Sequence, residues 1–481
     1  MLGAGQRRLV LAASSALAIA GLFGAPATTE ASPPYGQVSF GVPSLSPKFR
    51  PNVHDYVVRC HDRPVTVNAH VSGGWEAAIA HNPSRSGDFN EMVPLTVGRA
   101  FAITVRQVGH PQLYRYYVRC LPNDFPEYTF TRRRPVSPRF FSVDKQDFSR
   151  YAIIFDNHGA PIWWHHASAH GTRVLTNGTV IWFDRNSKQY EIHRLDGSLV
   201  RTLDAVGQPA NPHDLQLLGN GDYLVGAYVN QSHVNTRAYG GSRDTDVANA
   251  ELQEVSPDGQ LLWDWKSQDH ISLAETGRHW RPVITHPIPQ LGYDIVHWNS
   301  IEPHGKSVIA SFRNVDAVYK IEKSTGKIVW KLGGTRTRKS LTVKHDPHKY
   351  TLGAQHDARL LPDGTLTLFD NRTKLHHRTP RAVRYRINQK RGTATLLRAI
   401  SDPDVDTSNC CGSARRLPNR DWLISWGKGE PIGGYKPNGK RTFRLTFRSN
   451  FSYRAEPVPR GAVSARDLRA GMRAMAQAQL R

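Results

Sequence analysis

The sequence is poor in acidic residues and, beyond its N-terminus, in long apolar runs. Its 481 residues hold 40 Asp and Glu against 63 Lys and Arg, a formal net charge of +23. This excess favours anionic partners such as sulfated or phosphorylated small molecules, although solubility and weak nonspecific adhesion explain it equally well. The basic residues form no dense block or aromatic stripe, so we expect no nucleic acid partner. No segment after residue 31 is apolar enough to cross a membrane, so we expect no stable membrane span.

The one long apolar run lies at the N-terminus. Arg7 and Arg8 precede LVLAASSALAIAGLFGA, and small residues follow. This order is typical of an export signal peptide, with cleavage after Ala27 or Ala31. An uncleaved membrane anchor is the alternative, but the run is short for a bilayer span. We predict a signal peptide over residues 1–31 and an exported protein, periplasmic or extracellular; the general secretory and twin-arginine routes both stay open.

Cysteine is also scarce, with four residues in the whole chain. Export makes these four candidates for disulfides. Cys60 ends DYVVRC and Cys120 ends RYYVRC, both β-rich; if the two strands are neighbours, a bridge closes a loop of about 60 residues and contributes roughly 4 kcal/mol. Cys410 and Cys411 are adjacent, and the sequence leaves a strained disulfide and two free thiols equally open.

Long helical patterns are few, whereas turn residues abound, with 39 Gly and 31 Pro. Residues 35–125 alternate polar and apolar positions, as in PVTVNAHV and AFAITVRQV, which indicates a small antiparallel sandwich. From about residue 140 to 455, short strands pair around tight turns: LLGNGDYLVGAY, EVSPDGQLLWDW, IEKSTGKIVWKLGG, LLPDGTLTLFD and RLPNRDWLISWG. Such recurring units predict a β-propeller, and about 50 residues per blade gives six blades.

The predicted fold class is therefore all-β, a six-bladed β-propeller preceded by a small β-sandwich domain. We place the sandwich at residues 32–128 and the catalytic propeller at 129–460. A basic tail follows at 461–481, whose sequence SARDLRAGMRAMAQAQLR predicts a short helix.

In a propeller, loops from different blades meet at one end of a central channel, and polar residues recur here at strand ends. NPHDLQLLGNGDYLV places His213 ahead of a strand, and QHDARLLPDGTLTLFDN does the same for His356. YDIVHWNSIEP places His297 and Asn299 in the same phase, and SVIASFRNVDAVYKI puts Arg313 directly after a strand. Each histidine alone is more often a hydrogen-bonded loop residue than a functional one. Their shared phase favours a common site.

Three histidines with one arginine suit an oxyanion better than a metal. Three imidazoles are a known zinc ligand set, but the guanidinium of Arg313 beside a dication is repelled. Arginine instead offers a fork of donors to sulfate or phosphate. A neutral imidazole can attack a sulfuryl or phosphoryl group and hold it covalently, while the protein stabilises its oxygens. We predict no metal and no cofactor.

Three stretches carry a resemblance to a known family. The chain closely resembles the bacterial arylsulfotransferases over roughly residues 140–450. The resemblance lies in HWNSIEP with SVIASFRNVDAVYKIEKSTGKIVWKLGG, then in QHDARLLPDGTLTLFDN, and then in CCGSARRLPNRDWLISWG. The resemblance implies an exported six-bladed propeller whose donor is an aryl sulfate and whose acceptor is a phenol. It makes His356 the nucleophile that forms a sulfohistidine, His213 and His297 the sulfuryl-binding and acid/base residues, Asn299 a substrate contact, and Arg313 the charge-stabilising residue.

The implied reaction is ping-pong: His356 takes the sulfuryl group as the donor's phenolate leaves, and an acceptor phenol then attacks the sulfohistidine. Because His356 must be unprotonated to attack, activity is expected to fall below about pH 6. Asp357 is close enough in the chain to orient the ring, although a turn-capping role is favoured for it. The family has a C-terminal threonine contact with no clear counterpart here. Enterobacterial members carry a closely spaced disulfide, for which this chain has only Cys410 and Cys411 near a comparable place.

Two other functions remain open from the sequence. STGKIVWKLGG and PDGQLLWDW look like the tryptophan-docking turns of quinoprotein dehydrogenases, which are also propellers, and some of those enzymes have adjacent cysteines. A quinone absorbance of the purified protein would favour that function. The second is a noncatalytic propeller that binds polyanions through its basic surface. Salt-sensitive binding of sulfated glycans without turnover of a phenyl sulfate would favour it.

Overall fold

The computed structural model describes residues 34–133, 137–146, 151–287, 292–347, 351–373, 375, 378–448 and 451–478. The predicted signal peptide, residues 1–31, lies outside the described residues. Within them, strands dominate and helices are short, so the all-β expectation is confirmed.

Two sheets formed by residues 38–120 share one apolar core. Their strands are β1 (Val38–Gly41), β2 (Asp55–Val58), β3 (Val65–Val71), β4 (Trp75–Ile79), β5 (Gly87–Val93), β6 (Ala100–Gln107) and β7 (Leu113–Cys120). One sheet has the order β1-β3-β5 and the other β2-β7-β6-β4. The alternation along VTVNAHV places its Val and Ala side chains in the core and Asn68 and His70 outside, because successive strand residues point to opposite faces.

A disulfide joins Cys60 and Cys120, as the sequence predicts, with their Cα atoms 5.6 Å apart. Strands β2 and β7 are parallel neighbours in register from Asp55 opposite Tyr117 to Val58 opposite Cys120. Cys60 follows β2 by two residues, which brings its sulfur beside that of Cys120.

Six further sheets are present in the described part of residues 128–457, each built on a four-stranded antiparallel meander. Their strands are β8 (Tyr128–Arg132), β9 (Phe140–Gln146), β10 (Tyr151–Asp156), β11 (Pro161–His166), β12 (Ala169–Val174), β13 (Val180–Asp184), β14 (Gln189–His193), β15 (Leu199–Leu203), β16 (Ala210–Leu217), β17 (Tyr223–Val234), β18 (Thr245–Val255), β19 (Leu261–Lys266), β20 (Tyr293–Asp294), β21 (Trp298–His304), β22 (Ser307–Phe312), β23 (Ala317–Glu322), β24 (Ile328–Gly333), β25 (Thr342–Lys344), β26 (His356–Leu360), β27 (Thr365–Asp370), β28 (Arg381–Asn388), β29 (Thr393–Ile400), β30 (Ser413–Arg416), β31 (Trp422–Ser425), β32 (Ile432–Tyr435), β33 (Arg441–Phe447) and β34 (Phe451–Pro457).

The sheets are ordered β34-β9-β10-β11, β12 to β15, β16 to β19, β21 to β24, β26 to β29 and β30 to β33, with β20, β25 and β8 added to the third, fifth and sixth. The C-terminal strand β34 pairs with β9, so one sheet joins the two ends of the region. The inner strands β12, β16, β21, β26, β30 and β34 contact one another in sequence, and β34 contacts β12. The six sheets therefore surround a common centre as a closed ring.

The predicted hairpins are confirmed: β16 pairs with β17, β18 with β19, β23 with β24, β26 with β27 and β30 with β31. Two tryptophans of the third sheet donate hydrogen bonds to a turn of the fourth sheet. The indole nitrogens of Trp263 and Trp265 donate to the carbonyls of Lys323 and Gly326, each at 2.9 Å. These contacts hold the third sheet against the fourth.

The helices are peripheral. They are α1 (Trp280–Thr285), α2 (Ala465–Ala478) and 3-10 turns at Arg237–Tyr239, Ser267–Asp269, Leu273–His279 and Gly427–Gly429. At the start of α2, Ser464 and Asp467 cap each other's backbone N–H groups. Leu468 and Met472 then pack into the apolar core beside the sheet that contains β9, β10 and β11. None of the helices in the described residues is long and apolar enough to cross a membrane.

Candidate active site

The ring brings the sequence-predicted histidines to one place. His213 lies in β16 where the pairing with β17 shifts register, His297 immediately precedes β21, and His356 begins β26. The rings of His213 and His297 meet edge to face, with centroids 4.9 Å apart. The hydroxyl of Tyr453, from the closing strand β34, lies 3.0 Å from Nε2 of His356 and 3.2 Å from the carbonyl oxygen of His213. Tyr453 thus links two of the three histidines.

The hydrogen bonds of His356 fix which of its nitrogens is free to react. Nδ1 lies 2.7 Å from the carbonyl oxygen of Gly412, and because a carbonyl only accepts, Nδ1 carries the proton. Burial, followed by the charge of Arg454, holds the pKa of His356 well below its usual range. The ring is therefore neutral near pH 7, and Nε2 presents its lone pair. In this arrangement Nε2 accepts the hydroxyl proton of Tyr453, whose pKa is raised by burial.

Gly412 is suited to this role by its lack of a side chain. Its φ is +87°, and a Cβ there would lie 2.5 Å from the ring of Phe369 and 2.8 Å from the carbonyl oxygen of Ser425. The left-handed conformation and the close approach both require glycine. Replacing it would displace the carbonyl that holds His356.

His213 is also held with its proton on Nδ1. The backbone N–H of His213 donates to Oδ1 of Asn211 at 3.0 Å, which identifies that atom as the amide oxygen. Nδ1 of the ring contacts the same oxygen, so Nδ1 donates and Nε2 is unprotonated. Desolvation, followed by the neighbouring His297, lowers the pKa of His213 well below its usual range.

His297 differs because its partner is a carboxylate. Nδ1 of His297 is paired with Oδ2 of Asp294, and Oδ1 of Asp294 accepts the backbone N–H of His297 at 2.9 Å. These two contacts hold His297 at φ 49°, a conformation uncommon outside glycine. The side chain of His297 is 27% exposed and that of Asp294 only 7%. The imidazole is therefore partly exposed, whereas the carboxylate that holds it is buried.

Arg313 follows β22 and lies beside His297, whose carbonyl accepts its backbone N–H at 2.9 Å. Its guanidinium donates from Nη1 to Asn314 at 2.8 Å and from Nη2 to the carbonyl of Asn409 at 2.9 Å. Asn299 is buried, and its Nδ2 donates to the carbonyl of Gln355 at 2.8 Å. Asn299 thus supports the residue that precedes His356.

The adjacent cysteines, left open by the sequence, form a disulfide with Cα atoms 3.7 Å apart. The residue on each side of this disulfide accepts a hydrogen bond from a side chain of the site. Asn409 accepts from Arg313 through its carbonyl, and Gly412 accepts from His356 in the same way. The Cys410–Cys411 bridge therefore constrains the segment that positions both side chains.

The expectation for Asp357 is wrong, because it neither caps a turn nor orients His356. Its φ is 60°, and its carboxylate is fully buried against arginines. Nε of Arg359 lies 3.1 Å and Nη2 of Arg415 2.8 Å from its Oδ1. We call the set to which it belongs the ion-pair layer, whose members are Asp214, Glu302, Asp357, Glu456, Arg173, Arg359, Arg415 and Arg454.

Sequence reasoning missed four residues of this site: Asn211, Asp294, Gly412 and Tyr453. Two of them carried a local pattern, because Asn211 stands two residues before His213 and Asp294 three before His297. A polar side chain at that spacing can accept the backbone N–H of the histidine, and both do so here. Tyr453 lies 97 residues from His356, and nothing in the sequence connects them. In the part of the chain that the structure describes, no three His, Cys, Asp or Glu side chains are arranged to hold a metal ion.

A ring of β-sheets with three imidazoles at its centre, and with Arg313 bonded through its backbone to one of them, defines the class as an all-β protein with a candidate oxyanion site. A model of the arylsulfotransferase (ASST) family matches residues 127–431. The chain belongs to this family, which supports a sulfotransferase activity and implies aryl sulfates and phenols as substrates.

No curated protein matches the chain, whereas several solved structures are similar to it. A protein of unknown function from Bacteroides caccae is 12% identical, with 67% of this chain and 99% of that one covered and a TM-score of 0.42. A catalytically inactive virginiamycin B lyase from Staphylococcus aureus, with quinupristin, is 12% identical over 67% and 75%, with a TM-score of 0.31. Apo AztD from Citrobacter koseri is 9% identical over 66% and 97%, with a TM-score of 0.34.

Proposed function

We propose that the protein is an exported arylsulfotransferase that moves a sulfuryl group from an aryl sulfate to a phenol through a sulfohistidine on His356. In this proposal the six sheets are the blades of a propeller and the two N-terminal sheets are a β-sandwich. The closed ring of inner strands supports the first assignment, and the shared core of the two sheets supports the second. The two disulfides favour an oxidising compartment outside the cytosol.

The observation that carries the proposal is the tautomer of His356. The Gly412 carbonyl holds the proton on Nδ1, so the lone pair of Nε2 is directed towards Tyr453 and His213. A neutral imidazole with a free Nε2 is a competent nucleophile near pH 7. Because burial keeps the pKa of His356 low, protonation of this residue limits activity only well below the usual histidine range, which places that limit lower than the expected pH 6.

In the first half-reaction, Nε2 of His356 attacks sulfur and the bond from sulfur to the aryl oxygen breaks. The Tyr453 hydroxyl must first leave Nε2, and the carbonyl of His213, 3.2 Å away, is its alternative acceptor. Arg313 supplies positive charge to the sulfuryl oxygens, which carry the developing negative charge. In the second half-reaction, a phenol oxygen attacks the same sulfur and the N–S bond breaks, which restores His356.

Neither alternative function has a specific observation in its favour. The tryptophan turns that suggested a quinoprotein hold neighbouring sheets together through backbone carbonyls, which is a structural role. The basic surface that suggested polyanion binding does not require three histidines at one place.

Initial-rate kinetics with p-nitrophenyl sulfate and phenol test the proposal. We expect parallel double-reciprocal lines, as a ping-pong reaction gives, and loss of transfer in His356→Asn by a factor on the order of 10⁴ or more. His304→Asn is the matched control, because His304 is an exposed histidine in the neighbouring strand β21. Near-normal turnover by a folded His356→Asn protein would refute the nucleophile, and binding of sulfated glycans without any turnover would favour the noncatalytic alternative.

A further inference from the structure

A cavity of about 440 Å³ lies where α2 packs against β11, the outermost strand of the first sheet. Trp164, His165, Met472 and Met475 are among the residues that line it. The whole chain has four methionines, so two of the four meet at this one place. The cavity lies at the outer edge of the ring of sheets, whereas the three histidines of the candidate active site lie at its centre. The transfer reaction therefore leaves these side chains unexplained.

His165 has a sulfur atom as its hydrogen-bond partner. Its Nδ1 lies 3.4 Å from Sδ of Met475, and this is the only hydrogen bond that the ring makes among the described residues. A thioether sulfur is a weak acceptor, so the protein alone satisfies this imidazole poorly. The side chains of His165 and Met475 are both partly exposed, so a solute can reach the two atoms.

A second thioether and a glycine complete this place. Met472 precedes Met475 by three residues on α2, so the two side chains lie on the same face of the helix. Sδ of Met472 accepts the backbone N–H of Trp164 at 3.3 Å, and a thioether sulfur has a second lone pair that stays available. A Cβ at Gly197 would lie 3.2 Å from Nδ1 of His165 and 3.1 Å from Sδ of Met475. Any other residue at this position would place a carbon atom beside both donor atoms.

Harder donors around this group are engaged elsewhere. Both ring nitrogens of His193 have hydrogen-bond partners, at 3.0 and 2.9 Å. His166 pairs with Asp124 at 3.7 Å, and Oδ1 of Asp196 accepts the backbone N–H and the hydroxyl of Ser198. The donor set that remains is one imidazole and two thioethers. Thioethers select the soft ion Cu(I), whereas carboxylates and carbonyls suit harder divalent ions.

We propose that this cavity is a Cu(I) site, in which Nδ1 of His165 and Sδ of Met475 are the first two ligands and Sδ of Met472 is the third. With bonds of about 2.0 Å to nitrogen and about 2.3 Å to sulfur, the lengths found for zinc, the 3.4 Å separation of the first two atoms leaves a near-tetrahedral angle at the metal. The ring then carries its proton on Nε2, so binding releases no proton. The sequence-based expectation of no metal considered only the three central histidines, and this site is separate from them and from the proposed function.

Anaerobic titration of the full chain with Cu(I), in competition with the chelator bicinchoninate, tests the proposal. We expect the protein to withdraw one equivalent of Cu(I) from the chelator. Met475→Leu keeps the apolar volume but removes a ligand, and it is expected to weaken Cu(I) binding by at least about 100-fold. Met92→Leu is the matched control, because Met92 is 68% exposed in the N-terminal sheets, and its affinity is expected to be unchanged. X-ray absorption of the bound ion is expected to show both nitrogen and sulfur neighbours, with less sulfur in Met472→Leu.

Three results would overturn the site. The first is a folded protein that takes no Cu(I) from the chelator, which would mean that the methionines only fill a gap beside aromatic rings. The second is an affinity that is unchanged in Met475→Leu, and the third is a bound ion without sulfur neighbours. Copper that is kept by Met475→Leu but lost in His297→Gln would place the ion at the central histidines and would also overturn it. If Met475→Leu does not fold, the X-ray absorption spectrum of the unmodified protein decides alone.

Discussion

His356 and Asp357 are neighbours in the chain, yet their side chains belong to two different layers of the ring. His356 faces Tyr453 and the other histidines, where burial keeps two imidazoles neutral. Asp357 lies in the ion-pair layer, whose four carboxylates and four guanidinium groups compensate one another. The same inner strands thus supply the neutral rings of His213 and His356 and, beside them, a layer of paired charges.

The difference shows how the site obtains reactive groups without becoming unstable. Burial alone would raise the pKa of Asp214, but Arg359, Arg454 and Arg173 together hold it well below the usual range. Arg454 spans the two layers: its Nη1 donates to Asp214 at 3.2 Å, and its Nη2 donates to the backbone carbonyl of Asn299 at 2.6 Å. Arg454 therefore connects the ion-pair layer to the backbone at Asn299, beside the histidines of the site.

The largest expected effect comes from breaking the ion-pair layer. Asp214→Ala removes a carboxylate that faces three arginines, and the uncompensated buried charge is expected to cost about 3–5 kcal/mol of unfolding free energy. Chemical denaturation measures this loss. A change below about 1 kcal/mol, the range of surface pairs, would show that the layer is not buried as described.

Acid is expected to destabilise the folded protein first through the buried neutral rings of His213 and His356. The folded pKa values of His213 and His356 lie well below that of an unfolded histidine, about 6.5. The unfolded chain therefore binds protons first, so stability is complete above about pH 6.5 and falls as the pH drops below it. Each such histidine contributes up to about 2 kcal/mol of loss between pH 6.5 and pH 5.

Denaturation curves recorded between pH 5 and pH 6.5 measure how steeply the unfolding free energy changes with pH. In His213→Gln the slope is expected to be shallower, because one of these histidines is gone. Asp214 does not interfere, since its pKa lies below the ordinary aspartate value of about 4. Burial raises the pKa of Glu302, but this residue is present in both proteins and contributes equally to both slopes. A slope that is unchanged in the variant would contradict the buried neutral state of His213.

Removing the hydroxyl that joins the histidines should have a smaller effect. Tyr453→Phe removes the hydroxyl that donates to Nε2 of His356 and has the His213 carbonyl as its alternative acceptor, which is expected to cost about 1–2 kcal/mol of stability. Because that hydroxyl bonds the neutral form of His356, its loss also raises the pKa of the ring. The acid limb of the activity profile should therefore move to higher pH. An unmoved limb would mean that Tyr453 does not bond His356 in solution.

The smallest effect is expected at a surface pair. Asp264 and Lys266 lie 3.6 Å apart with side chains about two-fifths exposed. Asp264→Asn is expected to change the unfolding free energy by less than about 0.5 kcal/mol. A loss comparable to that of Asp214→Ala would remove the distinction between buried and exposed pairs.

The sequence predicted the parts of this molecule that depend on local patterns. Turn residues such as Asn220-Gly221 located the hairpins, and Val-Arg-Cys at two strand ends indicated the Cys60–Cys120 bridge. The recurrence of His213, His297 and His356 at strand entrances predicted that they converge, because equivalent positions of successive sheets meet at the centre of a ring.

What the sequence did not predict depends on contacts between distant side chains. Tyr453 reaches His356 only because the last strand pairs with β9 and closes the ring. Asp357 was expected to cap a turn, and its φ of 60° turns it instead towards arginines of other strands. The state of Cys410 and Cys411 was equally open, because both an adjacent disulfide and two thiols fit the sequence.

The central claim, that His356 accepts the sulfuryl group, is tested most directly by peptide mass spectrometry after brief exposure to p-nitrophenyl sulfate at alkaline pH. We expect a sulfuryl adduct on the peptide that contains His356, which phenol then discharges to yield phenyl sulfate. An adduct on another residue, or continued transfer to phenol by protein that never carries one, would contradict the account.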